Sequence, residues 1–310
     1  MDALILSENL AGLRAQAWGL AELAGLAHRT VDVVPRGLMR HLPARFWPAP
    51  LAAVAGQDVD GAALTISVGG KAAAVGAALR RRDGRHLVQV QNPRFDLRRF
   101  DLVVVNAHDE ITGANVLVSR TALHGITPAR LTQARTRWSE AFAPLGRPLV
   151  AVLVGGANGR FRFDTPDAAA LAGQLAQMMD RDGVSLALTA SRRTGAAQRA
   201  VLNDALAPRG AFVWDGMGDN PYLGLLACAD AFVVTADSVS MVSEAAATDR
   251  PVMVAPMRGT SRRIGLFLDR LIDAGRVRPF SGRMQDWAVE PLDDGPWIAA
   301  EMKRKLGMRV

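Results

Sequence analysis

The chain has 310 residues, 49% of them hydrophobic, with 37 Lys and Arg against 30 Asp and Glu, for a formal charge of +7. That length suits two domains of about 150 residues, each with its own core. Cys228 is the one cysteine, which excludes an intramolecular disulfide and a cysteine-based metal cluster.

The N-terminal half reads as repeated strand-to-helix units. A strand over 3–6 leads into the turn Ser7-Glu8-Asn9 and a helix over 12–26, and the Pro-rich stretch 35–50 reads as a loop with short helical pieces. A second unit has a strand over 64–68, the turn Gly69-Gly70-Lys71 and a helix over 72–82, followed by strands over 86–91 and 102–106 with polar ends. A polar helix begins at Thr127, and the segment 143–148, APLGRP, reads as a hinge. Beyond it a strand over 149–154 runs into Gly155-Gly156, followed by helix 166–180, strand 185–189, helix 195–206 and strand 212–214. The stretch Asn220 to Pro251 then gives helix, strand (231–235), polar turn and helix (239–248), and a last helix is expected over 296–306.

This alternation predicts an α/β protein with two doubly wound, mainly parallel sheets. The expected division is a domain over 1–126, a linker over 127–147, a second domain over 148–280, and a helical tail over 281–310 that packs across the junction.

Ligands of such sheets bind outside the carboxyl ends of the strands. In the second domain those positions hold Gly155, Gly156 and Asn158, then Ser191, Arg192 and Thr194, then Asp219 and Asn220, then Asp237 and Ser238. Paired glycines let backbone approach a phosphate, and an arginine fork matches its oxygens, with Arg160 and Arg193 as secondary candidates. Asp237 and Ser238 are good N-cap residues, so the helix after them points unpaired N–H groups at an anion, and a diphosphate suits that place. Ser240 and Glu244 lie further along the same helix, with Glu244 placed to accept a sugar hydroxyl.

In the first domain His108-Asp109-Glu110 follows a strand and is the best place for acid/base work, since histidine titrates near neutrality. A solvated polar loop is an equal reading of those three residues. Ser7, Glu8 and Asn9 with Gln16 form an acceptor-side cluster, and Gly69-Gly70-Lys71 is a further anion contact.

Several classes are not supported. No Gly-x-Gly-x-x-Gly, Walker-type or Gly-x-Ser-x-Gly motif occurs, and the five histidines show no metal spacing, so neither cofactor nor metal is expected. Scattered arginines, 5% aromatics and no helix-turn-helix or zinc-finger spacing argue against nucleic acid as a partner. The basic surface attracts anions, with an anionic membrane face as one candidate. The longest apolar run, 148–157, is too short to span a bilayer and no leader pattern opens the chain, so the expectation is a cytoplasmic protein with peripheral contact to the inner membrane face.

Four blocks carry a resemblance: VQVQNPRFDLRRFDLVVVNAHDEITGANVL (88–117), VLVGGANGRFRFD (152–164), TASRRTG (189–195) and DNPYLGLLACADAFVVTADSVSMVSEAAATDRPV (219–252). Together they resemble the mitochondrial fission elongated-mitochondria family, whose bacterial members are labelled predicted nucleoside-diphosphate-sugar epimerases and whose plant members act as adaptors in organelle division. The resemblance implies a GT-B-like pair of Rossmann-type domains facing across a cleft, similar to lipid A disaccharide synthase and the peptidoglycan N-acetylglucosaminyltransferase. It implies a phosphate turn at Ser238 and Ser240 and a ribose partner at Glu244. This chain departs from the family in its first turn, Ser7-Glu8-Asn9-Leu10-Ala11-Gly12, where members carry an Asp-Gly pair and a second glycine before the glutamine.

The expected function is nucleotide-sugar-dependent transfer of a sugar to an acceptor whose hydroxyl is activated by His108 or Asp109. The alternatives are a 2-epimerase on the same scaffold and a non-catalytic adaptor.

Overall fold

The structure, a computed structural model, describes residues 2–308. It divides into two compact units, the first running to Gly125 and resuming at Asp293, the second spanning Ile126–Leu292.

Unit 1 contains β1 (Asp2–Ser7), α1 (Ala11–Leu23), β2 (Ala27–Asp32), β3 (Leu64–Val68), α2 (Gly70–Asp83), β4 (His86–Val90), β5 (Leu102–Asn106) and β6 (Val116–Ser119). The six strands form one sheet in the order β2-β1-β3-β4-β5-β6, with every pairing parallel. β1 from Ala3 onward and the whole of β3 are buried, as expected of inner strands of a parallel sheet covered by helices on both faces. β2, AHRTVD, forms an edge and is only partly buried, so it lacks the apolar run that marks the inner strands. The chain passes from β1 outward to β2 and then back to β3 on the other side, which makes the β1/β3 boundary the switch point. The C-terminal helix Gly295–Lys305 belongs to this unit, with Ile298, Ala299 and Met302 in one core cluster with Ala17, Leu20 and Ala21 of α1.

Unit 2 opens with α3 (Pro128–Phe142), capped by Thr127 and carrying proline in its first turn. Most of the segment read as a linker is therefore helix. It packs inside the unit: Ala134 and Phe142 join the core, and Trp138 lies so close to Gly224 that a Cβ there would meet its ring. There follow β7 (Leu149–Val154), β8 (Phe161–Arg162), α4 (Thr165–Asp182), β9 (Ser185–Ala190), α5 (Ala196–Leu206), β10 (Phe212–Val213), α6 (Tyr222–Cys228), β11 (Ala231–Thr235), α7 (Val239–Ala246), β12 (Val252–Ala255), β13 (Arg258–Gly259), α8 (Arg262–Asp273) and β14 (Val277–Pro279).

The second sheet runs β10-β9-β7-β11-β12-β14, again all parallel. Alternation along β7 fills both sides: Leu149, Ala151 and Leu153 enter one core cluster, while Val150, Val152 and Val154 enter the other. Strands β9 and β10 build outward from β7 on one side, then β11 pairs with β7 on the other, with Ala231 opposite Val150. The switch point of this unit is the β7/β11 boundary. β8 and β13 form a small antiparallel ribbon outside the sheet. Residues 281–292 stay with unit 2, where Met284, Trp287 and Leu292 pack on its clusters, so the expected tail is shared between the two units.

Candidate functional site

The carboxyl ends of β7 and β11 are joined by a polar latch. Gly155 follows β7 and donates its N–H to Thr235 Oγ1 at 2.7 Å; Thr235 Oγ1 in turn donates to Asp237 Oδ1 at 2.7 Å. Gly156 donates its N–H to Asp237 Oδ2 at 3.1 Å. The same oxygen lies 2.7 Å from Arg193 Nη1, which also donates to the Gly156 carbonyl at 2.8 Å. A Cβ on Gly155 would run into the Asp237 carboxylate, and one on Gly156 into the Arg193 carbonyl, so both glycines are fixed by close approach.

The loop after β9 closes the same corner. Ser191 Oγ donates to the Gly155 carbonyl at 2.9 Å, and the buried Thr194 hydroxyl donates to it as well. Sequence reasoning ranked Arg192 first on this loop. Both arginines are exposed, but Arg193 is the one anchored at the switch point, through Asp237 and the Gly156 carbonyl. Nothing in the tripeptide Ser191-Arg192-Arg193 separates the two; only the turn geometry does.

Ser238 caps α7, its Oγ accepting the Met241 N–H at 3.3 Å. Ser240 sits in the first turn, half-buried, and Glu244 lies four residues on, on the same helical face. The Glu244 carboxylate accepts from the hydroxyl of Tyr222 on α6. Burial pushes the Glu244 carboxyl up to about 7, opposed by the Tyr222 hydrogen bond, and burial together with the Glu244 charge raises the Tyr222 hydroxyl well above its ordinary value. The far end of α7 is held by the buried Arg276, which donates to the carbonyls of Ala246 at 3.0 Å, Ala245 at 3.2 Å and Thr248 at 2.7 Å. Desolvation lowers the Arg276 pKa to about 10.

The remaining predicted residues of unit 2 shape loops. Asn158 Oδ1 accepts the N–H groups of Arg160 at 2.8 Å and Phe161 at 2.9 Å, turning the chain into β8. Asn220 Oδ1 accepts the Tyr222 N–H at 3.0 Å at the start of α6, and Asp219 forms an exposed ion pair with Arg137 of α3.

In unit 1, His108 is buried in the short turn Ala107–Asp109 that follows β5, and Glu110 after it takes a left-handed φ of 54°. β4 separates β5 from the switch-point strand β3. At the β1/β3 ends, Lys71 Nζ meets Glu8 Oε2 at 2.6 Å, which joins the two turns singled out in the sequence. Gln91, with φ 70°, donates from Nε2 to Gln16 Oε1 at 3.2 Å, and Gln89 accepts from Ser67 Oγ at 2.6 Å. Ser67, Gln89 and Gln91 escaped the sequence reading; the available signal was glutamine alternating with valine at the end of an otherwise apolar strand.

No group of three or more His, Cys, Asp or Glu side chains that could hold a metal ion occurs among the described residues. Nor is any described helix long and apolar enough to cross a membrane.

The match to the family described as Mitochondrial fission ELM1 extends over residues 11–306. The chain belongs to this family. Within it, mitochondrial fission protein ELM1 of Arabidopsis thaliana is 32% identical over 282 residues, covering 81% of this chain and 66% of the relative, so the match leaves about a third of that protein's length unaccounted for. Among solved structures, the UDP-GlcNAc 2-epimerase of Methanocaldococcus jannaschii is similar with a TM-score of 0.60 at 11% identity, covering 99% of both chains. A Siraitia grosvenorii UGT transferase in complex with UDP is similar with a TM-score of 0.53 at 11% identity, covering 98% of this chain and 93% of that one. At such identities the likeness establishes the fold: the ELM1-family chain is an α/β protein of the GT-B-like class, with two Rossmann-like units.

Proposed function

We propose that unit 2 binds the nucleoside diphosphate part of a nucleotide-sugar and that the chain transfers the sugar to an acceptor. The observation carrying the reading is the anchoring of Arg193 at the β7/β11 switch point. Its two contacts, to Asp237 and the Gly156 carbonyl, both use Nη1. The other donors of the fork remain for phosphate oxygens, alongside the first-turn N–H groups of α7 behind Ser238 and Ser240. Glu244 accepts a ribose hydroxyl, with Tyr222 fixing its carboxylate.

In this reading Gly155, Gly156, Ser191 and Thr194 form the floor of the phosphate site, while Asn158, Arg192, Asp219 and Asn220 stand at its rim. Transfer places negative charge on the departing diphosphate, and Arg193 with the positive end of α7 stabilises it in place of a metal ion or cofactor. His108 or Asp109 of unit 1 takes the proton of the acceptor hydroxyl. The UDP in the Siraitia transferase structure supports a uridine nucleotide as the first donor to try.

Calorimetric titration of the wild type and Arg193→Ala with UDP, GDP, ADP and CMP sugars tests the site. One nucleotide family should bind, and the variant should lose about tenfold in affinity or more, equivalent to about 1.4 kcal/mol. Binding that the variant retains unchanged removes the assignment. With the bound donor, release of nucleoside diphosphate coupled to acceptor consumption supports transfer, release of an epimerised sugar replaces it with 2-epimerisation, and no binding at all leaves the adaptor reading.

A further inference from the structure

The excursion between β2 and β3 carries Arg36, Arg40 and Arg45 and, from Val33 to Gln57, no Asp or Glu. Its apolar residues divide into two sets. Val33, Met39, Trp47, Ala53 and Val54 are buried in a core cluster with Leu4, Leu6, Val75 and Leu79. Leu38 is 68% exposed, Phe46 60% and Val34 51%. Three exposed large apolar residues within thirteen positions are unusual for a segment whose other apolar side chains are so well buried.

The segment is held in place. Val34 N–H donates to the Ala53 carbonyl at 2.9 Å, Trp47 Nε1 to the Leu42 carbonyl at 3.1 Å, and Arg36 Nη2 to the Ala55 carbonyl at 3.1 Å. Pro35, Pro43, Pro48 and Pro50 stiffen it further. Leu38 and Phe46 are therefore presented from a fixed scaffold. The three arginines are exposed and none is ion-paired to a carboxylate among the described residues; Arg45 lies 4.7 Å from the centroid of the Phe46 ring.

We propose that this loop docks unit 1 on an anionic lipid bilayer. Leu38 and Phe46, with Val34, enter the boundary between headgroups and acyl chains, and Arg36, Arg40 and Arg45 meet the lipid phosphates. Charge and apolarity act together here. Arginine stems lie along apolar surface while their heads stay at the phosphate level, and the ring of Phe46 beside Arg45 follows that division. A nucleic-acid backbone would use the arginines and leave the aliphatic Leu38 and Val34 without a role. The inference is independent of the nucleotide-sugar reading, since it involves no residue of unit 2.

Co-sedimentation of the full chain with vesicles of phosphatidylcholine alone, or with phosphatidylglycerol added, is the test. The wild type should partition onto the anionic vesicles and far less onto the neutral ones. Leu38→Ser/Phe46→Ser should lose about tenfold in partitioning or more, leaving a residue of binding that salt abolishes, and Arg36→Gln/Arg40→Gln/Arg45→Gln should lose a similar factor. The altered side chains are exposed, so unchanged melting temperatures are expected, and Arg98→Gln, on another loop, should bind as the wild type does. Equal binding to neutral vesicles, full retention by either loop variant, or displacement by millimolar glycerol phosphate would overturn the proposal.

Discussion

The Tyr222 hydroxyl donates to the Glu244 carboxylate and so ties the first residue of α6 to the middle of α7. Glu244 is held up to about 7 against an ordinary 4.5. The folded chain therefore keeps a proton that the unfolded chain has released. The linked stability is fully present below about pH 4.5 and falls as pH rises through about 7. Urea denaturation between about pH 5 and about pH 8 should show this decline in the wild type and a flatter profile in Glu244→Gln. Parallel profiles would remove the assignment.

Arg193 and Arg192 should behave differently although they are neighbours. Arg193→Ala leaves Asp237 without its cation and should destabilise by about 1–2 kcal/mol; the loss stays below that of a fully buried pair because the Arg193 side chain is 40% exposed. Arg192→Ala should change stability by less than about 0.5 kcal/mol. Chemical denaturation of the two variants side by side checks this, and equal losses would show that the latch does not hold Arg193.

Gly155→Ala places a methyl group against the Asp237 carboxylate and should destabilise by about 1–3 kcal/mol through overpacking. Gly159, a few residues on, has open space where its Cβ would go and does not take a left-handed φ. Gly159→Ala should therefore be neutral or slightly stabilising by thermal melt. A reversed order would contradict the close approach of β7 to Asp237.

Arg276→Met keeps the bulk of the side chain and removes every donor. Three carbonyls at the end of α7 then lose a partner, and the expected destabilisation is about 1–3 kcal/mol. Hydrogen exchange should report the loss first at the last turn of α7 and at β14, whereas uniform loosening of unit 2 would point to a general packing defect.

Much of the fold is written in strand composition. Leu149 to Val154 and Ala231 to Val234 are apolar runs typical of a doubly covered strand, and the glycines and caps after them mark the switch point. β2 is not legible, because an edge strand of sequence AHRTVD carries polar side chains, such as Thr30 bonded to Trp18 and Asp32 paired with Arg14, and shows no apolar periodicity. The segment 127–147 reads as a polar helix, but its membership in unit 2 depends on Trp138 reaching the bare Cα of Gly224, a long-range contact. At the site, Asp237 and Ser238 read equally as helix caps. Only Ser238 caps α7, and the Asp237 carboxylate faces Gly156, Thr235 and Arg193.

The latch at β7 and β11 also has an entropic consequence. A free arginine at a binding surface must surrender its rotamers when the anion arrives, and that ordering subtracts from affinity. Arg193 has already surrendered them to Asp237 and Gly156 during folding. An arriving diphosphate would meet a guanidinium whose position no longer depends on it, so recognition draws on order established before the encounter.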